Sequence, residues 1–136
     1  MKHWKFLVAL LLAGYCVFTV SCKKETFISS RDALLRLSAD SLKYDTVFTT
    51  IGSITKSFKI INENNQKLRL DKVKLMGGAA SAYKMNVDGI ATYEASNIVL
   101  EAYDSIYVFV SVTINPSAGN LPFIVSDSIL VNYNGN

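Results

Sequence analysis

The side chains able to do covalent or acid–base chemistry are few in this chain of 136 residues. There is one histidine, His3, and there are two cysteines, Cys16 and Cys22, all within the first 22 positions. Elsewhere a serine nucleophile would need lysine as its base, and nothing reads as the Ser-x-x-Lys start of a helix that such a pair requires. Asp104-Ser105 and Asp127-Ser128 read as strand entrances whose side chains bond the local backbone. Glu94 with Glu101, or Asp88 with Glu94, are carboxylate pairs near in sequence, the minimum a glycosidase needs. No tryptophan accompanies them as a sugar platform, the sole one being Trp4. Asn86, Asp88 and Glu94 offer oxygen ligands but match no calcium-loop spacing, so solvated turn carboxylates are the expectation. Gly77-Gly78-Ala79-Ala80 lacks the Gly-Lys-Ser/Thr ending of a phosphate loop and reads as an inter-strand bend. No catalytic residue, metal site or cofactor is expected.

The remaining reactive group, Cys22, has a specific context. Lys2 and Lys5 precede an apolar run of 15 residues, positions 6–20. At ~1.5 Å per residue the run reaches roughly 22 Å as a helix, short of the ~30 Å hydrocarbon core of a bilayer. It closes on Thr19-Val20-Ser21-Cys22, which resembles the lipobox of bacterial lipoproteins, with Thr19 where an aliphatic residue is usual. The resemblance implies cleavage before Cys22 and acylation of its thiol. An uncleaved anchor helix or an ordinary signal cut near Cys22 are the other readings of the same run. The expected organisation is a signal at 1–21, a lipidated Cys22 with a tether to residue 34, and one domain over 35–136. Lys23 and Lys24 in the tether either approach anionic head groups or are simply solvated.

Cleavage changes the arithmetic. Removing 21 of 136 residues leaves 115, without histidine, tryptophan or a free thiol. Loss of Lys2 and Lys5 lowers the basic side chains from 14 to 12 against 11 acidic ones, so the basicity of the whole chain belongs largely to its leader. A nucleic-acid partner is not expected. Two or more acyl chains hold a protein stably on a bilayer without crossing it.

Beyond residue 35 the hydrophobic period is two. In 105–114, Ile106, Val108, Val110, Val112 and Ile114 point one way, and Tyr107, Phe109, Ser111 and Thr113 the other. Residues 126–133 repeat the pattern through Ile129, Val131 and Tyr133. Leu42, Tyr44, Thr46 and Phe48 alternate with Lys43, Asp45 and Val47, and Phe58 and Ile60 with Ser57 and Lys59. Leu68 and Leu70 share a phase that Val73 and Leu75 reverse, which predicts a β-bulge near Asp71-Lys72. Residues 83–87 and 98–100 are further short strands. Asn62-Glu63-Asn64-Asn65, Asp88-Gly89 and Asn134-Gly135 are turn signals, and Pro116 and Pro122 bracket a loop. A helical turn over 31–37 is the less favoured alternative to an extended start. About seven strands over some 100 residues predict an all-β, Ig-like antiparallel β-sandwich.

The residues carrying this pattern resemble an Ig-like module of the abnormal-spindle, Hydin-like and major-sperm-protein-like kind. They are Asp45-Thr46-Val47-Phe48, Gly52-Ser53, Phe58-Lys59-Ile60, Tyr83-Lys84-Met85-Asn86-Val87, Asp104-Ser105 and Asn115-Pro116. The whole chain is similar to the N-terminal region of Bacteroidetes lipoproteins of unknown function. That resemblance implies an outer-membrane lipoprotein of a Gram-negative envelope and, in longer relatives, continuation into a right-handed parallel β-helix. It implies no catalytic residue.

Two surface features remain. Lys67, Arg69, Lys72 and Lys74 read as the wet face of an outer sheet, with contact to an anionic glycan or lipid as the alternative. Tyr107 and Phe109, opposite the valine face, mark a possible interface with another envelope protein or a polysaccharide, unless a loop or strand covers them. The expected role is a non-catalytic binding or spacer module tethered by lipid. The alternative is an assembly factor or adaptor that pairs through an open sheet edge.

Overall fold

The computed structural model describes residues 26–48, 52–114 and 124–136. The leader, Cys22, Lys23, Lys24 and the Pro116–Pro122 loop lie outside the described residues. Among the described residues there are eight strands: β1 (Leu35–Leu37), β2 (Lys56–Asn62), β3 (Leu68–Leu75), β4 (Tyr83–Val87), β5 (Ile90–Ala91), β6 (Glu94–Leu100), β7 (Ser105–Val112) and β8 (Ile129–Tyr133). They pair antiparallel into a five-stranded sheet, ordered β1-β2-β7-β4-β5, and a three-stranded sheet, ordered β6-β3-β8. The protein is an all-β sandwich, as its periodicity requires.

β7 sits centrally between β2 and β4, and its sequence suits that place. Ile106, Val108, Val110 and Val112 are all buried, and burying each such side chain contributes roughly 1.5–3 kcal/mol. Phe58 and Ile60 from β2, Met85 and Val87 from β4, and Leu68, Leu70, Val73 and Leu75 from β3 complete the core.

The phase reversal in β3 is a bulge at the expected place. Pairing with β8 slips by one residue between Leu70 and Lys72, so both halves of β3 present their apolar residues inward. β6 accommodates the same reversal. Asn97, opposite Asp71 in register, takes φ of 56°, which lets Ala95 and Ile98 both turn toward the core. This strand runs from Glu94, longer than the 98–100 expected.

One expectation is corrected. Residues 42–48 alternate but form no strand: among the described residues no backbone–backbone hydrogen bond joins 39–48 to a neighbour. After Ser38, which still bonds Lys59 through its N–H and its hydroxyl, the chain leaves the edge of β2 and crosses the open flank of the sandwich. Leu42 and Tyr44 alternate inward because one side of this extended run meets the core. Residues 31–37 are a turn followed by β1, the extended start favoured over a helical turn. From Phe27 onward the chain before β1 also touches the sandwich. Ile28 N–H donates to Lys67 O at 2.9 Å, Asn134 Nδ2 donates to Ser30 O at 2.9 Å, and Ala33 is buried.

In an Ig sandwich, strands A, B, E and D form one sheet and C, F and G the other. Here β1, β2, β7 and β4 occupy the A, B, E and D places, while β3 and β8 occupy those of C and F. The place of G, along the far side of β8, is filled by no described residue.

Candidate functional site

The sequence-chosen chemistry does not assemble. Ser-x-x-Lys spacing occurs at Ser53–Lys56 and Ser81–Lys84, but each leads into a strand, β2 or β4, rather than a helix. Ser53 Oγ accepts from Val112 N–H, and Ser81 Oγ donates to Asp127. Asp104 accepts from the N–H of Ser105, its own neighbour, at 2.7 Å, as a strand-entrance residue should. Glu94 opens β6 and Glu101 follows its end, so about 20 Å of strand separates them, far beyond the ~5–9.5 Å spacing of glycosidase carboxylates. Asn86 Oδ1 accepts from Gly89 N–H at 2.8 Å and closes a turn on which Asp88 sits at φ 49°. Among the described residues no three His, Cys, Asp or Glu side chains cluster as a metal site would require.

The basic stripe on β3 is largely compensated. Glu94 lies 2.9 Å from Lys72 Nζ and 3.0 Å from Lys74 Nζ; hydrogen bonds from Lys72 and then Lys74 hold its carboxyl below the usual range. Lys67 pairs with Glu101 at 2.8 Å, and the Arg69 guanidinium lies 4.8 Å from the Phe27 ring centroid. This is the wet outer face expected of an antiparallel sheet.

Tyr107 and Phe109 do form a patch. Their rings stack at 5.6 Å with planes 18° apart, and Lys59 Nζ stands 4.7 Å from the Tyr107 ring. They are 43% and 39% exposed, on the outer face of the five-stranded sheet. β2 and β4 flank them through Ser57, Lys59 and Asn86.

A second feature escaped the sequence reading altogether. A groove of about 640 Å³ opens between residues 37–45 on one wall and 125–131 on the other. Its floor is core: Phe58, Leu75 and Val110. Tyr44 and Tyr83 meet edge to face at 6.0 Å in it. The Tyr44 hydroxyl donates to Val110 O at 2.6 Å and that of Tyr83 to Val125 O at 2.9 Å. Burial pushes the Tyr44 hydroxyl above its ordinary pKa. At the lower end, Asp127 accepts from Gly77 N–H at 3.0 Å, from Ser128 N–H at 2.7 Å and from the Ser81 hydroxyl. Burial pushes its carboxyl up, but the hydrogen bonds from Ser81, Ser128 and Gly77 together hold it below the usual carboxylate value. No local sequence pattern marks the groove, because its walls lie 80 or more positions apart.

Among the described residues no helix is long and apolar enough to cross a membrane. No protein-family model matches the chain, and searches of curated proteins and of solved structures likewise returned no match.

Proposed function

We propose that this protein is a lipid-anchored, non-catalytic binding module of a Gram-negative cell envelope, held on the outer membrane through acyl chains on Cys22. The observation that carries the binding half is the groove, an apolar floor bounded by two runs of extended backbone for which no described residue supplies a ladder partner on the groove side. The anchoring half rests on the sequence before residue 23 and on its resemblance to a lipobox. The docking of Phe27 against Lys67 is compatible with it: five residue steps from Cys22 span at most roughly 18 Å, so the sandwich would ride close to the bilayer surface.

The stacked Tyr107–Phe109 pair supports a second contact face, for an envelope protein or a polysaccharide, on the opposite side of the five-stranded sheet from the core. Metabolic labelling with palmitate tests the anchor. Label enters the wild-type protein and not Cys22→Ala, and the variant moves from the membrane to the soluble fraction. Unlabelled wild-type protein, or a variant that fractionates unchanged, overturns the anchoring.

A further inference from the structure

We propose that the outer face of the five-stranded sheet binds an acidic polysaccharide, its sugar rings against the Tyr107–Phe109 pair and a ring carboxylate on Lys59. This deepens the reading of the protein as a binding module and rests on it.

The two sheets carry their charge differently. On the three-stranded sheet Lys72 and Lys74 share Glu94. The strands of the five-stranded sheet contain no aspartate or glutamate at all. Because Phe58, Ile60, Met85 and Val87 point into the core, their neighbours Lys59 and Lys84 point outward, as Arg36 does between Leu35 and Leu37. Arg36 is matched by Glu63, and Lys84 donates to the Tyr93 hydroxyl at 2.8 Å. Lys59 has only the face of Tyr107, and no described carboxylate lies within ion-pair distance of it. Asp88 and Asp104 occupy turns beyond the strand ends, where Asp104 accepts from Ser105 N–H. A ring face attracts an ammonium but accepts no strong hydrogen bond, so the N–H donors of Lys59 stay available to an anion.

The aromatic pair sets the shape of that anion. At ~150–250 Å² per aromatic side chain, the exposed fractions of the two rings leave at most roughly 200 Å² open, far below the ~800 Å² that each side of a stable protein–protein interface buries. Such an area suits one sugar ring, repeated along a chain, better than a folded partner. The C–H-rich face of a pyranose is weakly positive and meets the negative face of an aromatic ring. Polar groups for its substituents stand on both sides. Lys59 lies across from Tyr107 and Ser57 across from Phe109 on β2, and Asn86 across from Phe109 on β4. Asn86 Oδ1 accepts from Gly89 N–H, which leaves Nδ2 as a donor to a sugar hydroxyl. A uronic acid unites the three demands: a ring, hydroxyls and a carboxylate on the same ring. A bilayer surface fits less well. Phe27 meets Arg69 beside β3, so the route toward Cys22 leaves from the other sheet, across the sandwich from this face.

The test uses the purified full-length protein in isothermal titration calorimetry, with a galacturonate hexamer as probe. Two controls divide its chemistry. The methyl-esterified hexamer keeps the rings and loses the charge; polyglutamate keeps the carboxylates and loses the rings. The probe binds, and each control binds at least about tenfold more weakly. Lys59→Gln weakens the probe by about tenfold and leaves the ester's binding unchanged, whereas Phe109→Ala weakens both. Rising salt weakens the probe and not the ester. Should Phe109→Ala fail to fold, Lys59→Gln still decides, since it separates probe from ester at a surface position. A probe that does not bind, or binds no better than polyglutamate, overturns the proposal. So does a Lys59→Gln variant that treats probe and ester alike. Phosphatidylglycerol vesicles that perturb the Tyr107 and Phe109 NMR signals when the probe does not would assign the face to a bilayer and also overturn it. None of these outcomes alters palmitate labelling, so the glycan site and the anchored module fail separately.

Discussion

The sandwich is closed differently at its two margins. At the upper end, Asn62 is fully buried, yet every polar atom of its amide is used. Its Nδ2 donates to Gln66 O at 2.9 Å and Glu101 O at 2.7 Å, and its Oδ1 accepts from Asn64 Nδ2 at 2.7 Å and from Asn64 N–H at 3.0 Å. Asn64 then exchanges two bonds with the backbone of Leu34, and its carbonyl accepts from Tyr103 N–H. Two side chains thus tie together the β2–β3 turn, the approach to β1 and the β6–β7 turn. Along the groove, by contrast, the walls are fastened over an apolar floor by two tyrosine hydroxyls, by Lys56 Nζ on Lys43 O at 2.6 Å and by Asp127. A margin saturated with polar bonds is a fixed part of the fold. One built from extended backbone with no described ladder partner is held to the core by side chains instead.

The contrast is broken most directly at Asn62. In Asn62→Ala the carbonyls of Gln66 and Glu101 and the amide of Asn64 lose their partner together inside the protein. We expect a loss of about 3 kcal/mol in urea unfolding, since each buried group left unsatisfied costs ~1–3 kcal/mol and networked bonds support one another. A loss below about 1 kcal/mol would mean that the upper margin is no more fixed than the groove.

Tyr44→Phe makes the complementary measurement. It deletes the 2.6 Å bond to Val110 O while leaving the ring against Tyr83. A single half-buried hydroxyl bond is worth about 1 kcal/mol, so the midpoint shifts by roughly a third of the Asn62→Ala effect. An equal or greater effect would show that the groove wall is as integral to the fold as the upper margin.

These margins also separate what the sequence could and could not convey. The β7 alternation was legible because both neighbours of that strand are in the sheet and its inner face lies on the core throughout. The bulge was legible because a phase reversal inside one strand would turn half of its apolar side chains to solvent unless an extra residue restored them to the core face. Residues 42–48 misled for a physical reason: alternation records that one side is buried, not that the backbone is paired. Most of β6 was hidden because Glu94, Ser96 and Asn97 are exposed and Asn97 interrupts the alternation with a positive φ. Asn62 and Asn64 read as turn residues, since a buried, fully bonded asparagine and a solvated one are spelled alike. Nor could any local pattern reveal the groove, which exists only where the run after β1 passes β8.

Asp127, an acidic fastening at the open margin, provides the finest comparison. Gly77 is pressed close against it: a Cβ on Gly77 would lie 2.5 Å from Asp127 Oδ2. Because hydrogen bonds from Ser81, Ser128 and Gly77 favour the ionised carboxyl, its value in the folded state lies below that in the unfolded chain, about 3.9. Its contribution to stability is therefore complete above the unfolded value and declines as pH falls through the folded one. Wild-type unfolding free energy should drop on acidification through that window, and Asp127→Asn should flatten part of the drop while leaving the response of the upper margin alone. Thermal melts of both proteins at closely spaced pH values between about 2.5 and 5 measure the difference. Because the carboxyl is largely solvated, the effect is the smallest of the three, and parallel curves for the two proteins would remove Asp127 from the forces holding the groove's lower end.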